Sequence, residues 1–113
     1  MDKKIKVLIS DSRSDFRVAC SELLQYYGFE ITGTASDGHE ALQMIQTQQP
    51  DIVLLDVVLP GLDGIKVIKE AHKLGLSMIP KFIMLTCFDS DEILKSAVKS
   101  GASYYMLKPF DYE

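Results

Sequence analysis

Long apolar runs are missing from this 113-residue chain, and none approaches the roughly 18 residues that a membrane-spanning helix needs. Met1-Asp2-Lys3-Lys4 does not lead into a signal-peptide core. Cysteine is scarce as well. Cys20 and Cys87 form no CxxC and have no metal-type histidine cluster nearby, which argues against a zinc site or a disulfide framework. A reduced, cytoplasmic setting and no membrane partner are the expectation. An excess of positive charge is also lacking: 12 lysines and arginines stand against 16 aspartates and glutamates, net −4. Phosphate contacts need a basic surface, so this segment is not expected to bind nucleic acid directly. Any DNA-binding activity would belong to another domain. There are no repeats, low-complexity tracts or internal linkers, and the length suits one domain.

What is present is an alternation of strands and helices. Five apolar, β-branched runs read as strands: Ile5 to Ile9, Glu30 to Thr34, Asp51 to Asp56, Lys81 to Thr86 and Ser103 to Leu107. Between them lie helical patterns. The first sets Phe16, Ala19, Cys20, Leu23, Leu24 and Tyr27 on one inward face, closed by Gly28 as a left-handed cap. The second spans Asp37 to Gln48, with Ala41, Leu42 and Ile45 inward and Pro50 beyond its end. The third spans Gly64 to Leu74 and stops at Gly75. The fourth spans Asp89 to Ser100, with Ile93, Leu94, Ala97 and Val98 inward and Gly101 as its cap. Asp51 to Asp56 is the most apolar strand and should be central. Such alternation implies parallel pairing through right-handed crossovers, hence an α/β, doubly wound sheet. A fifth helix would be expected where the chain stops at Glu113, and a longer native chain is the simpler expectation.

Ligands of open α/β sheets bind outside the carboxyl ends of the strands, near the point where strand order reverses. Four polar residues stand at those ends: Asp11, Asp56, Thr86 and Lys108. Each alone is most often a solvated cap, but four on four strands of one sheet is a constellation. It suits phosphoryl transfer onto a carboxylate. Asp56 is already ionised at neutral pH and can act as a nucleophile. Asp11 and Asp56 offer hard oxygens to Mg²⁺, which takes one or two carboxylates plus waters and phosphate oxygens. Lys108 would place a point charge on a phosphate oxygen, and the Thr86 hydroxyl would donate to another. Pro109 would aim the lysine through a cis bond. His39 and His72 fall on helix surfaces and read as solvated.

Leu54-Leu55-Asp56-Val57-Val58-Leu59-Pro60-Gly61-Leu62-Asp63-Gly64 resembles the phosphoacceptor loop of response-regulator receiver domains, and Thr86 and Lys108 follow at a similar spacing. The resemblance covers the whole chain except the last helix. It implies a flavodoxin-like sheet of strand order 2-1-3-4-5 with the fifth helix missing or truncated, and a C-terminal output domain outside this segment. It implies that Asp56 is the phosphoacceptor, fed by a histidine kinase or phosphotransfer protein, with self-dephosphorylation but no external product. Asp11 and the Val58 carbonyl would hold Mg²⁺, with Ser12 as a further contact through water. Thr86 and Lys108 would engage the phosphoryl group, Tyr105 would be the switch aromatic, and Tyr104 would only pack. Cys87 would be a small residue chosen to fit beside the phosphate. A second copy is a further candidate partner. Within the family, Gly101-Ala102-Ser103-Tyr104-Tyr105-Met106-Leu107-Lys108-Pro109-Phe110-Asp111 is most similar to the stage-zero sporulation subgroup, which implies control of transcription.

One position departs from the family pattern. Receivers carry two adjacent acids after the first strand, whereas Asp11 is followed by Ser12. This opens a second reading, an interaction module that works without phosphorylation. Two enzyme-like or carrier readings fit less well. A haloacid-dehalogenase-type phosphatase wants a second aspartate at position 58, where Val58 stands. A flavin carrier wants a glycine in its first phosphate loop, and Ser10-Asp11-Ser12-Arg13-Ser14 has none.

Overall fold

The computed structural model describes residues 3–87 and 90–108. Five strands, β1 (Lys6–Ser10), β2 (Glu30–Ala35), β3 (Ile52–Asp56), β4 (Lys81–Thr86) and β5 (Tyr104–Leu107), form one parallel sheet in the order β2-β1-β3-β4-β5. Four helices, α1 (Ser14–Tyr26), α2 (Gly38–Gln48), α3 (Gly64–His72) and α4 (Asp91–Ser100), connect them. This is the flavodoxin-like arrangement, with the order reversing between β1 and β3. Lys108-Pro109 lies partly outside the described residues, and so does any element beyond 108.

Helix starts follow local chemistry. The Asp37 carboxylate accepts the Glu40 amide at 2.8 Å, and Glu40 reaches back to accept the Ser36 amide at 2.7 Å, a reciprocal capping arrangement at the start of α2. Asp63 caps α3 by accepting from the Lys66 amide, and Ser90 caps α4 by accepting from the Ile93 amide. The Ser90 cap sets the start of α4 at Asp91. Gly28, Gly75 and Gly101 all have positive φ just past helix ends, where an L side chain would be strained.

Side chains alternate across each strand, so the sheet has two faces of different character. On one, Leu8, Val53, Leu55, Phe82 and Met84 are fully buried beneath Ala41, Ile45, Val67, Ile68, Ala71 and Ala97 of the helices. Among the described residues, the other face is covered by α1 over β1 and β2. There Ile52, Leu54, Ile83 and Leu85 are half-buried, and Tyr104 and Met106 are exposed. Tyr104, expected only to pack, is thus largely in solvent.

Two expected inward faces are narrower than their periodicity. Of the α1 set only Phe16 is buried; Cys20 and Leu24 are half-buried, Ala19 is exposed, and Leu23 and Tyr27 are 58% and 69% exposed. The apolar stripe of α1 is wider than the strip of sheet beneath it, and no second helix among the described residues flanks it. On α4, Ala97 is buried and Ile93 half-buried, but Leu94 and Val98 point away. A helix resting on an edge strand meets the sheet along a line, and only one residue per turn reaches it.

Candidate functional site

The four strand-end residues converge. Asp11, Asp56, Thr86 and Lys108 directly follow or terminate β1, β3, β4 and β5, and all are at most 9% exposed. The Lys108 ammonium donates to Asp56 Oδ2 at 2.5 Å and also to Asp11 Oδ2. The remaining oxygens are held by backbone: Asp11 Oδ1 accepts the Arg13 amide and Asp56 Oδ1 accepts the Val58 amide, both at 2.9 Å. Each carboxylate is therefore fixed at one oxygen and turns the other toward a single shared cation. Two carboxylates against one ammonium leave this buried group with a net charge of −1.

Electrostatics follow from that count. Burial pushes the Asp56 carboxyl above the usual carboxylate range; Lys108 and the Val58 amide pull the other way, and the negative charge of Asp11 adds to the rise. Burial works against the Lys108 ammonium, but Asp11 and Asp56 outweigh it and raise its pKa, so the lysine stays charged. Cys20 is raised by burial and by Asp11, while Cys87, next to Thr86, is exposed.

The loop after β3 is clamped from two sides. The Gly64 amide donates to the Val57 carbonyl at 2.8 Å, and the Gly38 amide donates to the Pro60 carbonyl at 3.0 Å. Both glycines are required by close approach. A Cβ at Gly64 would stand 2.3 Å from the Asp56 carbonyl oxygen, and one at Gly38 would stand 1.7 Å from that of Leu62. Val57 and Leu59 turn into the core, whereas Val58 is 54% exposed at the mouth of the site.

Thr86 is fully buried, and its carbonyl accepts the Lys108 amide at 2.8 Å, which ties the lysine to β4. Tyr105 is half-buried against the core and pairs with Met84. It therefore shares the face of Thr86, one diagonal step away across neighbouring strands. Ser12 is exposed beside Asp11. His39 and His72 are exposed, as expected.

Two neighbours of the site escape a reading of strand ends. The Phe16 ring lies 4.6 Å from the Lys108 ammonium, a cation–π contact. Arg17 Nη1 donates to the Asp11 carbonyl at 2.7 Å. Both sit on the first turns of α1. Their only signal in the sequence is their spacing after Asp11, which says nothing until the path of the intervening loop is known.

Two hard carboxylates aimed at one cation suit Mg²⁺, which needs only one or two protein carboxylates. Among the described residues no group of three or more Asp, Glu, His or Cys side chains could hold a metal, and Asp11 and Asp56 are two carboxylates with the exposed Ser12 beside them.

Residues 7–113 match the response regulator receiver domain family. The chain belongs to that family. Among solved structures it is similar to the signal receiver domain of the response regulator NarL from Mycobacterium tuberculosis, at 28% identity and a TM-score of 0.90 over 97% of this chain and 88% of that one. It is similar to the receiver domain of Francisella response regulator 1452, at 32% identity and a TM-score of 0.85 over 96% and 87%. A third is the CheX-CheY-BeF3-Mg complex from Borrelia burgdorferi, at 28% identity and a TM-score of 0.86 over 95% and 80%. The chain is thus a receiver domain of two-component signalling, a phosphoacceptor switch in general type. No helix of the described receiver is long and apolar enough to cross a membrane.

Proposed function

We propose that this receiver takes a phosphoryl group onto Asp56 from a phosphohistidine donor and passes the change to an output domain. The supporting observation is the Lys108 ammonium shared by Asp56 and Asp11 at the strand ends. In the transfer, an Asp56 oxygen forms a bond to phosphorus as the phosphorus–nitrogen bond of the donor imidazole breaks. The imidazole leaves with the electron pair. Among the described residues, Asp56 Oδ2 is the oxygen free of backbone bonds, so it is the attacking atom, and Lys108 is already beside it to meet the incoming negative charge. Asp11, the Val58 carbonyl and, through water, Ser12 would hold Mg²⁺, which supplies further neutralisation of the phosphoryl oxygens when bound. Thr86 donates its hydroxyl to the phosphoryl group, and Tyr105, on the same face, follows it inward.

Acetyl phosphate with Mg²⁺ is expected to add one hydroxylamine-sensitive phosphate, mapped by peptide mass spectrometry to Asp56 and lost when Mg²⁺ is chelated. A label on another residue removes the assignment. The complete absence of label favours the module that works without phosphorylation.

Ser12 sets the strength of the metal site. A carboxylate there would add a Coulomb attraction of up to about 4 kcal/mol at an effective dielectric near 20. Water filling the same octahedral position recovers part of it, and a third acid would crowd Asp56, whose ionisation burial already opposes. A net of roughly 1 to 2 kcal/mol remains, so Ser12→Asp should tighten Mg²⁺ by about tenfold and speed labelling of Asp56. A Mg²⁺ titration at fixed ionic strength reads this out. Unchanged affinity would mean that position 12 does not face the metal.

A transcriptional output domain and a role in sporulation are the finer part of the proposal. They rest on the resemblance of the 101–111 ending.

A further inference from the structure

Charge is unevenly spread on this molecule. A groove of about 840 Å³ between α3 and α4 is lined by Lys66, Lys69, Glu70, His72, Lys73 and Lys99, with two serines of α4. With histidine neutral these residues carry a net charge of +3. The other eight basic and fifteen acidic residues leave −7 on the rest of the chain. A basic groove on an acidic protein is thus set against its own background. It lies on the helical layer, built from no residue of the phosphoacceptor site.

Helix electrostatics account for only part of it. Lys69 and His72 stand in the last turn of α3 and Lys99 in that of α4, where carbonyl ends favour cations. Lys66 stands in the first turn of α3, where the same field disfavours it. Lys66 and Lys69 are three residues apart and Lys69 and Lys73 four apart, so like charges stack along one face of the helix. Of the lysines lining this groove, only Lys73 is paired among the described residues, with Glu70 at 3.1 Å. Lys66 and the stacked like charges are thus not explained by the helix that carries them.

We propose that this groove docks an acidic segment of a partner protein, with carboxylates spaced along it. The lysines run about 10 Å along α3, at 1.5 Å per residue, which matches two turns of a helix or a few residues of extended chain. Other anions fit less well. The groove has no arginine to grip a phosphate with a fork and no aromatic ring other than His72 for a base to stack on. The inference is independent of phosphorylation at Asp56.

The test is a nitrogen-15 NMR titration of the chain with a synthetic peptide of eight glutamates, beside inorganic phosphate and a single-stranded oligonucleotide as probes. The peptide is expected to shift the amides of 66–73 and 96–101, with affinity falling as salt rises. Lys66→Glu, Lys69→Glu and Lys99→Glu together should weaken it by about tenfold or more. Lys3→Glu, Lys4→Glu and Lys81→Glu, the same change in charge at exposed sites elsewhere, should weaken it about twofold or less. The milder Lys→Gln triple variant at the groove serves if the glutamate variant is misfolded. Equal weakening by the control variant, shifts centred elsewhere, or stronger shifts from phosphate or the oligonucleotide would each overturn the proposal.

Discussion

Asp56→Asn is expected to abolish phosphoryl uptake completely while making the protein more stable. The amide has no anionic oxygen to attack phosphorus, so no labelling above background should remain with acetyl phosphate and Mg²⁺. Stability moves the other way because the ionised Asp56 is disfavoured in the folded state. It is 91% buried by accessible surface, and it shares the Lys108 ammonium with a second carboxylate. Asparagine keeps the acceptor for the Val58 amide and leaves Lys108 and Asp11 as a neutral pair. A gain on the order of 1 kcal/mol is expected in metal-free buffer at neutral pH, measured by urea unfolding. A variant that loses both labelling and stability would mean that Asp56 is needed for the fold, and the loss of labelling would then say nothing about chemistry.

The same reasoning fixes a pH dependence. The folded-state pKa of Asp56 lies above its unfolded value, so folding takes up protons as pH falls through that range. Below the unfolded pKa Asp56 is neutral in both states and carries no penalty. The penalty grows as pH rises from the unfolded pKa to the folded one and is complete above the folded pKa. The advantage of Asp56→Asn should therefore be largest near neutrality and shrink in mild acid. An advantage that is constant with pH would indicate that ionisation of Asp56 is not its source.

The sequence is legible where one residue type answers one physical demand. DIVLLD is the most apolar run and is the middle strand, although its Ile52 and Leu54 face is only half-buried; β4 spans the expected Lys81 to Thr86 without adjustment. Asp11, Asp56, Thr86 and Lys108 were legible as a group because parallel strands all end on the same side of the sheet. Position in the chain thus translates directly into position in space. What was illegible depends on neighbours across the fold. Leu23 and Tyr27 have the same periodicity as Phe16, and only the width of covered sheet beneath α1 decides that one is buried and two are not. In the sequence Gly38 is simply an early residue of the helix spanning Asp37 to Gln48. That it must lack a side chain is set by the Leu62 carbonyl, on a loop more than twenty residues later. The bridging of two acids by Lys108 combines both kinds. The residues could be named from the sequence, but the sharing of one cation is visible only in the distances.

Lys108→Met should be the most destabilising single change in the site, and Mg²⁺ should reverse much of it. Methionine keeps an unbranched apolar stem to pack beside Phe16 but removes the charge that Asp11 and Asp56 share. Two buried carboxylates would then face each other without a counter-ion. Breaking a buried pair by deleting one partner typically costs about 3 to 5 kcal/mol, and the upper half of that range applies when two anions are left behind. One of them can escape by taking up a proton, which caps the loss and makes it smaller in acid, where Asp56 is already neutral. A divalent cation can take the place of the ammonium. The gain in melting temperature on adding Mg²⁺ should thus be larger for Lys108→Met than for the wild-type protein, since the native lysine competes for the same two oxygens. Phosphoryl uptake should survive at a reduced rate, because the nucleophile remains and only one neutralising charge is lost. Unfolding followed with and without Mg²⁺ gives both numbers. If the variant is as stable as the wild type without metal, Lys108 is not the counter-ion of the two aspartates in solution. If it is destabilised but gains nothing from Mg²⁺, Asp11 and Asp56 do not form the metal site.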